Sequence, residues 1–522
     1  MQDSSDNTEL DSAGPSFSEL GVAGAARTGV RWLAAESAVS QVIQLATSIA
    51  LARLLVPDDF GLIAMAVAVG GLARAVGDFG ISALIVQRED LDPGFLPAAF
   101  TLNAALFLSL AVFQVLLAPI GGLILEDSRV VWVIAALALA LPFQGLSSFA
   151  QALLRRDLAF SKIAKLNLVA VVVSSVVACS LAVLGFGVWS LVAAQIAAPI
   201  VIALLAWRMT SFGVGVDVSA AKRWSREILG FGRFATGNSL VNYLVHNLDY
   251  LLIGRLLPTA QLGFYYFAFE KSRVFSRRIL GLYSSLSLPV YSRLNPDRER
   301  IRRAYRTATA ATVFLIAPIV TFLAVHAALV IPLVFGEKWT PSVIVFQILS
   351  VHVVVNALTS GIGSVFYAVG RPDISFRIVR WIVIPLGMAY FLGARFAGIV
   401  GVALAVTVIK SAFSLIKLEV CFRFLRWKWL PTLRPALVVI AGATVAGLSS
   451  FGLAGLMPLV GGWARLLLEA VVYGTVFVVS QLTLNRLGLT MIWKGVLGQG
   501  GLLWCQKRLS LRLQSILSIP RA

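Results

Sequence analysis

Residues 265–280 read Tyr265-Tyr266-Phe267-Ala268-Phe269-Glu270-Lys271-Ser272-Arg273-Val274-Phe275-Ser276-Arg277-Arg278-Ile279-Leu280. Five of these side chains are charged, yet the surrounding sequence from Gly263 to Pro289 is otherwise apolar and contains no proline before its last position. A helix of this length can cross a bilayer, where buried charges are costly unless protein or water solvates them. The stretch therefore predicts a membrane protein in which these five charges face a bundle interior or a wet cavity.

On a helix, Glu270, Arg273 and Arg277 form one stripe, because positions i, i+3 and i+7 share a face. Lys271 and Arg278 lie beside that stripe, so all five occupy an arc of roughly 160°. Ionisable groups in a spanning helix indicate a functional site. The alternative is that the cations anchor the cytoplasmic end by snorkelling to the interface. Anchoring suits Arg277 and Arg278 better than Arg273, which lies near mid-bilayer, about 15 Å from the start of the segment.

The composition is that of a membrane protein. The chain has 522 residues, of which 58% are hydrophobic and only 13% are charged, and its mean hydropathy is +0.87. Soluble domains are about a quarter charged, so an ordinary soluble protein is excluded. The formal net charge of +19 comes from short basic clusters between apolar segments, which is typical of cytoplasmic loops. Binding of nucleic acid is the weaker interpretation, and we expect no nucleic-acid partner.

Signals for catalysis, cofactors and processing are absent from the sequence. There is no phosphate-cradling glycine loop, nucleophile elbow, paired-histidine motif or HExxH, so we expect no enzyme and no cofactor. Cys179, Cys421 and Cys505 have no metal-ligand spacing, so we expect neither a metal nor a disulfide. The polar, acidic first 25 residues do not resemble a cleaved signal peptide.

Fourteen apolar segments are long enough to span a bilayer and are separated by charged breaks or breaks marked by glycine and proline. They are residues 31–53, 60–77, 96–122, 129–153, 163–184, 187–207, 231–254, 260–290, 307–335, 341–369, 376–395, 397–419, 433–456 and 463–485. The first, second, seventh and eighth are polar enough for a hydropathy window to miss them. The predicted fold class is an all-α polytopic membrane protein with about 14 transmembrane helices.

Basic residues alternate along the chain as the positive-inside rule requires for an even number of spans. With a cytoplasmic N-terminus, the clusters at 88, 155–165, 208–233, 293–306, 371–380 and 423–434 all lie in the cytoplasm. The other side holds single basic residues in very short turns, namely Arg53, Arg129, Arg255, Lys338, Arg395 and Arg465. We therefore predict that both termini are cytoplasmic.

Two short patterns recur in the same order. Arg53-Leu54-Leu55 followed by Gly61 returns as Arg255-Leu256-Leu257 followed by Gly263, and Arg156-Asp157-Leu158-Ala159-Phe160 returns as Arg371-Pro372-Asp373-Ile374-Ser375-Phe376. The offsets are 202 residues (255 − 53) and 216 residues (373 − 157). Such matches predict a duplicated six-helix unit in parallel orientation, forming two lobes around a central cavity.

The predicted organisation follows from this repeat. It comprises a polar cytoplasmic N-terminus at 1–30, an N-lobe at 31–208, a cytoplasmic linker at 209–230, a C-lobe at 231–423, two added helices at 424–486 and a tail at 487–522. The tail mixes Leu, Trp and Ile with basic residues, which is typical of an amphipathic interfacial helix. A disordered basic tail is an equally weighted alternative.

Four further charges lie in predicted spans, namely Glu36, Arg74, Asp249 and Lys410. Asp249 could pair with the cations of the eighth segment, either as a structural salt bridge or as a gate. Arg74 lies near a cytoplasmic end, where snorkelling is the alternative to substrate contact. Arg31, one turn after Arg27, either anchors the first helix or guards an inner portal.

The eighth segment offers one glutamate against four basic residues. Guanidinium groups bind phosphate in fork geometry, so a basic wet cavity suits a phosphorylated anionic substrate better than an organic cation. The candidate substrate-binding residues are Arg273, Arg277, Lys271, Arg278, Arg74 and Arg31. The candidate gating or charge-pairing residues are Glu270, Asp249 and Glu36.

Three motifs resemble a known superfamily of membrane exporters. They are Ala52-Arg53-Leu54-Leu55-Val56-Pro57-Asp58-Asp59-Phe60-Gly61, Gly77-Asp78-Phe79-Gly80 and Ala152-Leu153-Leu154-Arg155-Arg156-Asp157. The chain resembles, over its first twelve predicted helices, the multidrug/oligosaccharidyl-lipid/polysaccharide (MOP) exporters, specifically the Wzx-type oligosaccharide flippases. The resemblance implies two six-helix bundles, alternating access and export of undecaprenyl-diphosphate-linked sugar units across the bacterial inner membrane.

The related lipid II flippases carry arginines on helices 1, 2 and 8, so the resemblance places Arg27 or Arg31, Arg74 and Arg273 on comparable helices. Fourteen helices match that branch better than the usual twelve. The expected partners are the lipid-linked oligosaccharide, membrane lipids and other polysaccharide-assembly proteins.

Two other functions compete with the flippase interpretation. A cation-coupled drug antiporter of the same superfamily would need acidic residues along its cavity, whereas the eighth segment is basic. A membrane polysaccharide polymerase or ligase would need a sizeable outer loop with polar catalytic groups, whereas the predicted outer turns are minimal. The flippase is the leading hypothesis.

Overall fold

The computed structural model describes residues 17–77, 79–88, 94–210, 215–454 and 462–484. The predicted tail at 487–522 and the first sixteen residues of the predicted N-terminus lie outside the described residues. The chain divides into two compact units, Met1–Arg255 and Leu256–Ala522. All the regular structure that is described is helical.

Among the residues that the structure describes, nine helices belong to the first unit and eight to the second. Those of the first unit are α1 (Phe17–Leu54), α2 (Pro57–Val76), α3 (Ile81–Gln87), α4 (Phe95–Leu125), α5 (Ser128–Ala138), α6 (Ala140–Arg156), α7 (Phe160–Val183), α8 (Val188–Met209) and α9 (Val218–Leu256). Within this unit α7 packs against α1 and α8, while α4 packs against α2, α5 and α6. Buried amide side chains join these helices, since Asn103 Nδ2 donates to the carbonyl oxygen of Gly145 at 2.8 Å and Gln114 Nε2 to that of Ile134 at 2.9 Å.

The second unit contains eight helices and a short 3-10 turn, Glu337–Trp339. The helices are α10 (Thr259–Leu294), α11 (Arg298–Val325), α12 (Ala327–Phe335), α13 (Ser342–Leu358), α14 (Ile362–Ala368), α15 (Pro372–Leu425), α16 (Trp429–Ala454) and α17 (Gly462–Leu484). The core of this unit is rich in buried aromatic residues from α10, α11, α14 and α15. Asp297 is the N-cap of α11. Its pKa is lowered because the carboxylate accepts hydrogen bonds from the backbone N–H groups of Arg300 and Glu299.

Nine helical stretches among the described residues are long and apolar enough to cross a membrane. Helices α1, α2, α9 and α10 are not among them, which agrees with the expectation that the first, second, seventh and eighth segments would escape a hydropathy criterion. The chain is a polytopic, all-helical membrane protein. Every predicted segment has a helical counterpart in the structure, but the count of fourteen spans stays a prediction.

Helix α15 is two helices joined by a sharp turn. Ala397 and Gly398 have non-helical backbone angles, and Gly398 has φ +57°. A Cβ atom placed on Gly401 would lie 2.2 Å from the carbonyl oxygen of Gly393, although eight residues of straight helix would separate these positions by about 12 Å. The chain therefore reverses direction here, and the two predicted segments 376–395 and 397–419 are distinct arms.

Equivalent pairs of helices pack in each unit. In the first unit, α2 contacts α4 and α5, and α3 contacts α6. In the second unit, α10 contacts α11, α13 and α14. This is the arrangement that a duplicated unit predicts. The duplication and the lobe boundaries stay predictions, and α9 groups with the first unit although residues 231–254 were assigned to the C-lobe.

Candidate functional site

Helix α10 carries the charged stripe on the side opposite its packed face. Its buried residues Tyr265, Phe269, Ser272 and Ser276 follow one another at helical spacing and pack against α13 and neighbouring helices of the second unit. The five charges centre roughly 160° away around the helix. The stripe therefore lies largely away from this row of buried residues, although buried Phe267 lies on its side of the helix.

Two residues of the stripe form an ion pair along the helix. Arg277 Nη2 lies 2.7 Å from Glu270 Oε2, and both side chains keep some exposure, 56% for Arg277 and 31% for Glu270. Positions i and i+7 share a face, so this pairing is the geometry that the spacing predicts. Glu270 is thus paired with Arg277 in this structure.

Arg273 lies against an aromatic ring together with a second cation from another helix. Its guanidinium carbon is 4.8 Å from the centroid of Phe269, and Lys410 Nζ on α15 is 5.8 Å from the same centroid. Lys410 also lies 6.0 Å from the ring centroid of Tyr390. Such contacts contribute about 0.5–2 kcal/mol each. The structure therefore brings two positive side chains to one buried ring.

Lys271 occupies a different environment from Arg273. Its Nζ lies 5.6 Å from the ring centroid of Phe267 and 5.7 Å from that of Phe335 on α12. Phe267 stacks on Trp339, with their centroids 4.1 Å apart. The stripe is thus divided: Lys271 lies against Phe267 and Phe335, Arg273 lies against Phe269, and Arg277 pairs with Glu270. Arg278 is partly buried on α10.

In the first unit, Arg74 lies in the last turn of α2. Its Nη1 donates a long hydrogen bond of 3.4 Å to Gln195 Oε1 on α8. Tyr243 of α9 packs onto α2, and its hydroxyl donates to the carbonyl oxygens of Val67 at 2.6 Å and Ala68 at 3.0 Å. Arg74 is therefore partly buried and held from within its unit, and its contact with substrate stays a prediction.

The other first-unit candidates are placed as follows. Asp249 is fully buried on α9, and its Oδ1 accepts from the backbone N–H of Tyr250 at 3.1 Å. Glu36 on α1 accepts from Ser40 Oγ at 2.7 Å. Arg31 lies in α1, but its side chain is outside the described residues. The pairing of Asp249 with the α10 cations stays a prediction.

Sequence reasoning missed one basic residue beside this region and gave another too little weight. Lys410 was recognised as an intramembrane charge without being placed in the candidate site, and Lys417 was not singled out. They lie on the same face of the second arm of α15, because their spacing is i, i+7. That spacing, which also relates Glu270 to Arg277, is the sequence signal that could have found Lys417.

Metal-binding geometry is not seen in the part of the chain that the structure describes, where no group of three or more His, Cys, Asp or Glu side chains is placed to hold an ion. The basic side chains of α10 and α15 have the chemistry that suits recognition of an anion by fixed cations.

Comparison with known proteins bears on the fold and on this chemistry. Residues 50–344 match the family described as Polysaccharide biosynthesis protein. The chain belongs to this family. The matched residues extend from α1 to the start of α13 and include the whole of α10. Arg74, Asp249 and the charges of α10 therefore lie within the matched residues, whereas Arg31, Glu36 and Lys410 lie outside them.

One curated relative and two solved structures illustrate the likeness. The lipopolysaccharide biosynthesis protein WzxC of Escherichia coli (strain K12) is 27% identical over 404 residues, covering 75% of this chain and 80% of WzxC. The lipid II flippase MurJ, in an inward closed conformation, has a TM-score of 0.67 at 12% identity, covering 87% of this chain and 98% of MurJ. An inward-facing multidrug resistance MATE transporter has a TM-score of 0.60 at 16% identity, covering 74% and 94%. These structures show that the chain shares the fold of MurJ and of the MATE transporter.

Proposed function

We propose that the protein is a flippase that moves undecaprenyl-diphosphate-linked oligosaccharide units across the bacterial inner membrane for synthesis of exopolysaccharide, capsule or O-antigen. The family membership, the similarity to WzxC and the MurJ-like fold support this proposal. The single observation that carries it is the meeting of Arg273 and Lys410 on the ring of Phe269. Two cations that contact one ring inside apolar segments favour an anionic ligand, because an anion would offset the cost of placing both charges there.

The diphosphate of the carrier lipid is the anion that this region fits best. Arg273 would bind it in fork geometry, which lysine cannot reproduce, while Lys410 would add a second positive charge. Glu270 would keep Arg277 oriented and limit how tightly the phosphate binds, because a carboxylate in the stripe repels a bound anion. Alternating access would then expose the loaded region first to the cytoplasm and then to the periplasm.

A drug antiporter fits these residues less well. Exporters of organic cations need acidic side chains at the binding site, whereas Glu270 is engaged by Arg277 and its neighbours on α10 are basic. A polymerase or ligase would need catalytic groups outside the membrane. The proposed protein is therefore a transporter and not an enzyme, with both termini in the cytoplasm and with other polysaccharide-assembly proteins as its partners.

Deletion of the gene tests this function. Cells without it should accumulate lipid-linked repeat units on the cytoplasmic face and lose the corresponding surface polysaccharide. Expression of the full chain should restore both phenotypes. Accumulation of unpolymerised units on the periplasmic face would instead indicate a polymerase, and normal surface polysaccharide with increased drug sensitivity would indicate an antiporter.

A further inference from the structure

The ends of several helices of the second unit meet around the ring of Phe424. The guanidinium carbon of Arg298, the first residue of α11, lies 5.9 Å from the centroid of this ring, and that of Arg371, just before α15, lies 5.6 Å from it. One turn further along α11, Arg302 Nη1 donates to Thr432 Oγ1 in the first turn of α16 at 3.3 Å. The starts of α11, α15 and α16 and the end of α15 therefore form one surface, which the predicted topology places in the cytoplasm.

Every described carboxylate at this end of the second unit is paired with an arginine. The pairs are Asp297 with Arg300, Glu299 with Arg302, Asp373 with Arg371 and Glu419 with Arg423. Arg298 lies between Asp297 and Glu299 in the sequence, yet both carboxylates bind other arginines. Among the described residues, no carboxylate lies within ion-pair distance of Arg298. One of the two guanidinium groups at Phe424 is therefore matched by a carboxylate, and the other is not.

Exposed basic side chains extend this surface. Five of them have no carboxylate within ion-pair distance in the part of the chain that the structure describes, namely Arg298, Arg303, Arg426, Lys428 and Arg434. The side chain of Arg371 is also 46% exposed. Exposed charges of one sign raise the local concentration of ions of the other sign. The surface is thus open to a ligand, and its excess of positive charge favours an anion.

The same surface lies where apolar spans begin or end. The spans are Arg298–Val325, Trp381–Leu425 and Trp429–Gly452. Trp429 and Leu430 are 41% and 67% exposed, and Trp429 Nε1 donates to Glu419 Oε2 at 2.7 Å. An exposed indole whose N–H is hydrogen-bonded at the end of a span is typical of the membrane interface. The surface therefore lies at the depth of the lipid headgroups.

Basic residues at the cytoplasmic ends of spans also set topology without binding any ligand. That role requires positive charge but no particular arrangement of the side chains. Arg298 and Arg371 are 73 positions apart in the sequence (371 − 298), and packing brings both to within 6 Å of one ring centroid. Guanidinium groups present planar forks that match the oxygens of a phosphate. Two forks that converge on one partly exposed ring therefore indicate a binding site as well as a topology signal.

We propose that Arg298 and Arg371 bind the phosphate of an anionic phospholipid of the surrounding membrane, of the phosphatidylglycerol class. Basic surfaces between transmembrane helices on the cytoplasmic side recognise such headgroups. A zwitterionic headgroup brings its own cation, which the unpaired basic residues of this surface would repel. The bound phospholipid is distinct from the transported lipid, so the inference does not depend on the proposed flippase function.

Native mass spectrometry of the purified full-length protein tests this site. The protein in detergent would be titrated with phosphatidylglycerol or phosphatidylcholine, and the occupancy of the first bound lipid would give an apparent Kd. Wild-type protein should bind phosphatidylglycerol more tightly than phosphatidylcholine. Arg298→Gln should weaken the binding of phosphatidylglycerol about fivefold, the contribution of one basic residue at an anionic surface, and leave phosphatidylcholine unchanged. Arg298→Lys should lose less, because lysine keeps the charge.

Arg300→Gln is the matched control, because it removes the same charge from an exposed position roughly 200° around α11 from Arg298. It should bind phosphatidylglycerol as wild type does. Equal binding of the two lipids by wild-type protein, or equal losses from Arg298→Gln and Arg300→Gln, would overturn the inference. So would displacement of phosphatidylglycerol by inorganic phosphate, or an equal loss of undecaprenyl diphosphate binding in Arg298→Gln, because the site would then hold a free anion or the transported lipid.

Discussion

Arg273 lies near the middle of α10, where it contacts Phe269 and has no carboxylate within ion-pair distance among the described residues. If it binds the diphosphate, Arg273→Ala should abolish polysaccharide export while the protein stays inserted. Loss of one or two charge-assisted hydrogen bonds, about 1.5–3 kcal/mol each, corresponds to at least a tenfold loss of binding. Arg273→Lys should retain part of the activity, because lysine keeps the positive charge but cannot form two parallel hydrogen bonds to a phosphate.

Surface polysaccharide measured alongside membrane abundance checks both predictions for Arg273. Arg303→Ala is the matched control, because Arg303 is exposed at the start of α11, and it should export normally. The anchoring interpretation gives the opposite pattern, in which Arg277 and Arg278 variants change abundance. Normal export by well-inserted Arg273→Ala would rule out the phosphate site.

Asp249 is buried on α9, and we predict that it pairs with the α10 cations during the transport cycle. Asp249→Asn should then impair export, and Lys271→Ala in the same chain should add less than its separate effect, because each single change leaves an unpaired charge. The double-mutant cycle would show a coupling above the roughly 0.3–0.5 kcal/mol expected of independent sites. Strictly additive losses would rule the pairing out.

Within the second unit, a buried polar cluster connects α16 and α17 to the other helices. His326 Nδ1 lies 2.7 Å from Glu469 Oε2, His326 Nε2 lies 2.9 Å from Ser450 Oγ, and Arg465 Nε donates to Glu469 Oε1 at 2.9 Å. His326 and Glu469 are each only 3% exposed. This cluster joins α17 to the end of α11 and to α16, so it should fix the two helices that follow the predicted repeat.

Glu469→Gln should therefore destabilise the protein, by about 3–5 kcal/mol, because it removes the carboxylate that His326 and Arg465 share and leaves Arg465 without its charge partner. The apparent melting temperature of the purified protein measures this. Glu419→Gln, which alters a more exposed ion pair with Arg423, should change it little. An unchanged melting temperature for Glu469→Gln would show that the cluster does not hold α17.

Most helices could be predicted from apolar length and charged breaks, but their interruptions could not. The break between α2 and α3 depends on Gly77 and Gly80, which adopt positive φ, and glycines of similar sequence context elsewhere stay helical. The cluster around Glu469 was also missed, since its members are remote in sequence and meet only through packing. Helical spacing placed Glu270 and Arg277 on one face because that relation is local, and the structure pairs them.

The candidate site was predictable only in part. Helical periodicity placed Glu270, Arg273 and Arg277 on one stripe, but it could not show that Lys271 lies against the rings of Phe267 and Phe335. Nor could it bring Lys410 to Phe269, because these two residues are 141 positions apart in the chain (410 − 269). Contacts between remote segments need the tertiary structure.

The topology of the whole chain is predicted by its basic clusters. Reporter fusions after Arg223 and Arg303 should report the cytoplasm, and fusions after Asp127 and Lys338 should report the periplasm. These positions lie in or beside the breaks between helices, so the fused reporters should not interrupt an apolar span. A periplasmic signal at Arg303 would overturn the alternation and with it the even number of spans.

Transport by the purified protein tests the central claim most directly. The full chain would be reconstituted into vesicles with the lipid-linked repeat unit, and the fraction of units accessible to an added glycosidase would be followed over time. Wild-type protein should move units across the bilayer, and Arg273→Ala at equal incorporation should not. Equal rates for wild type, Arg273→Ala and protein-free vesicles would contradict the account.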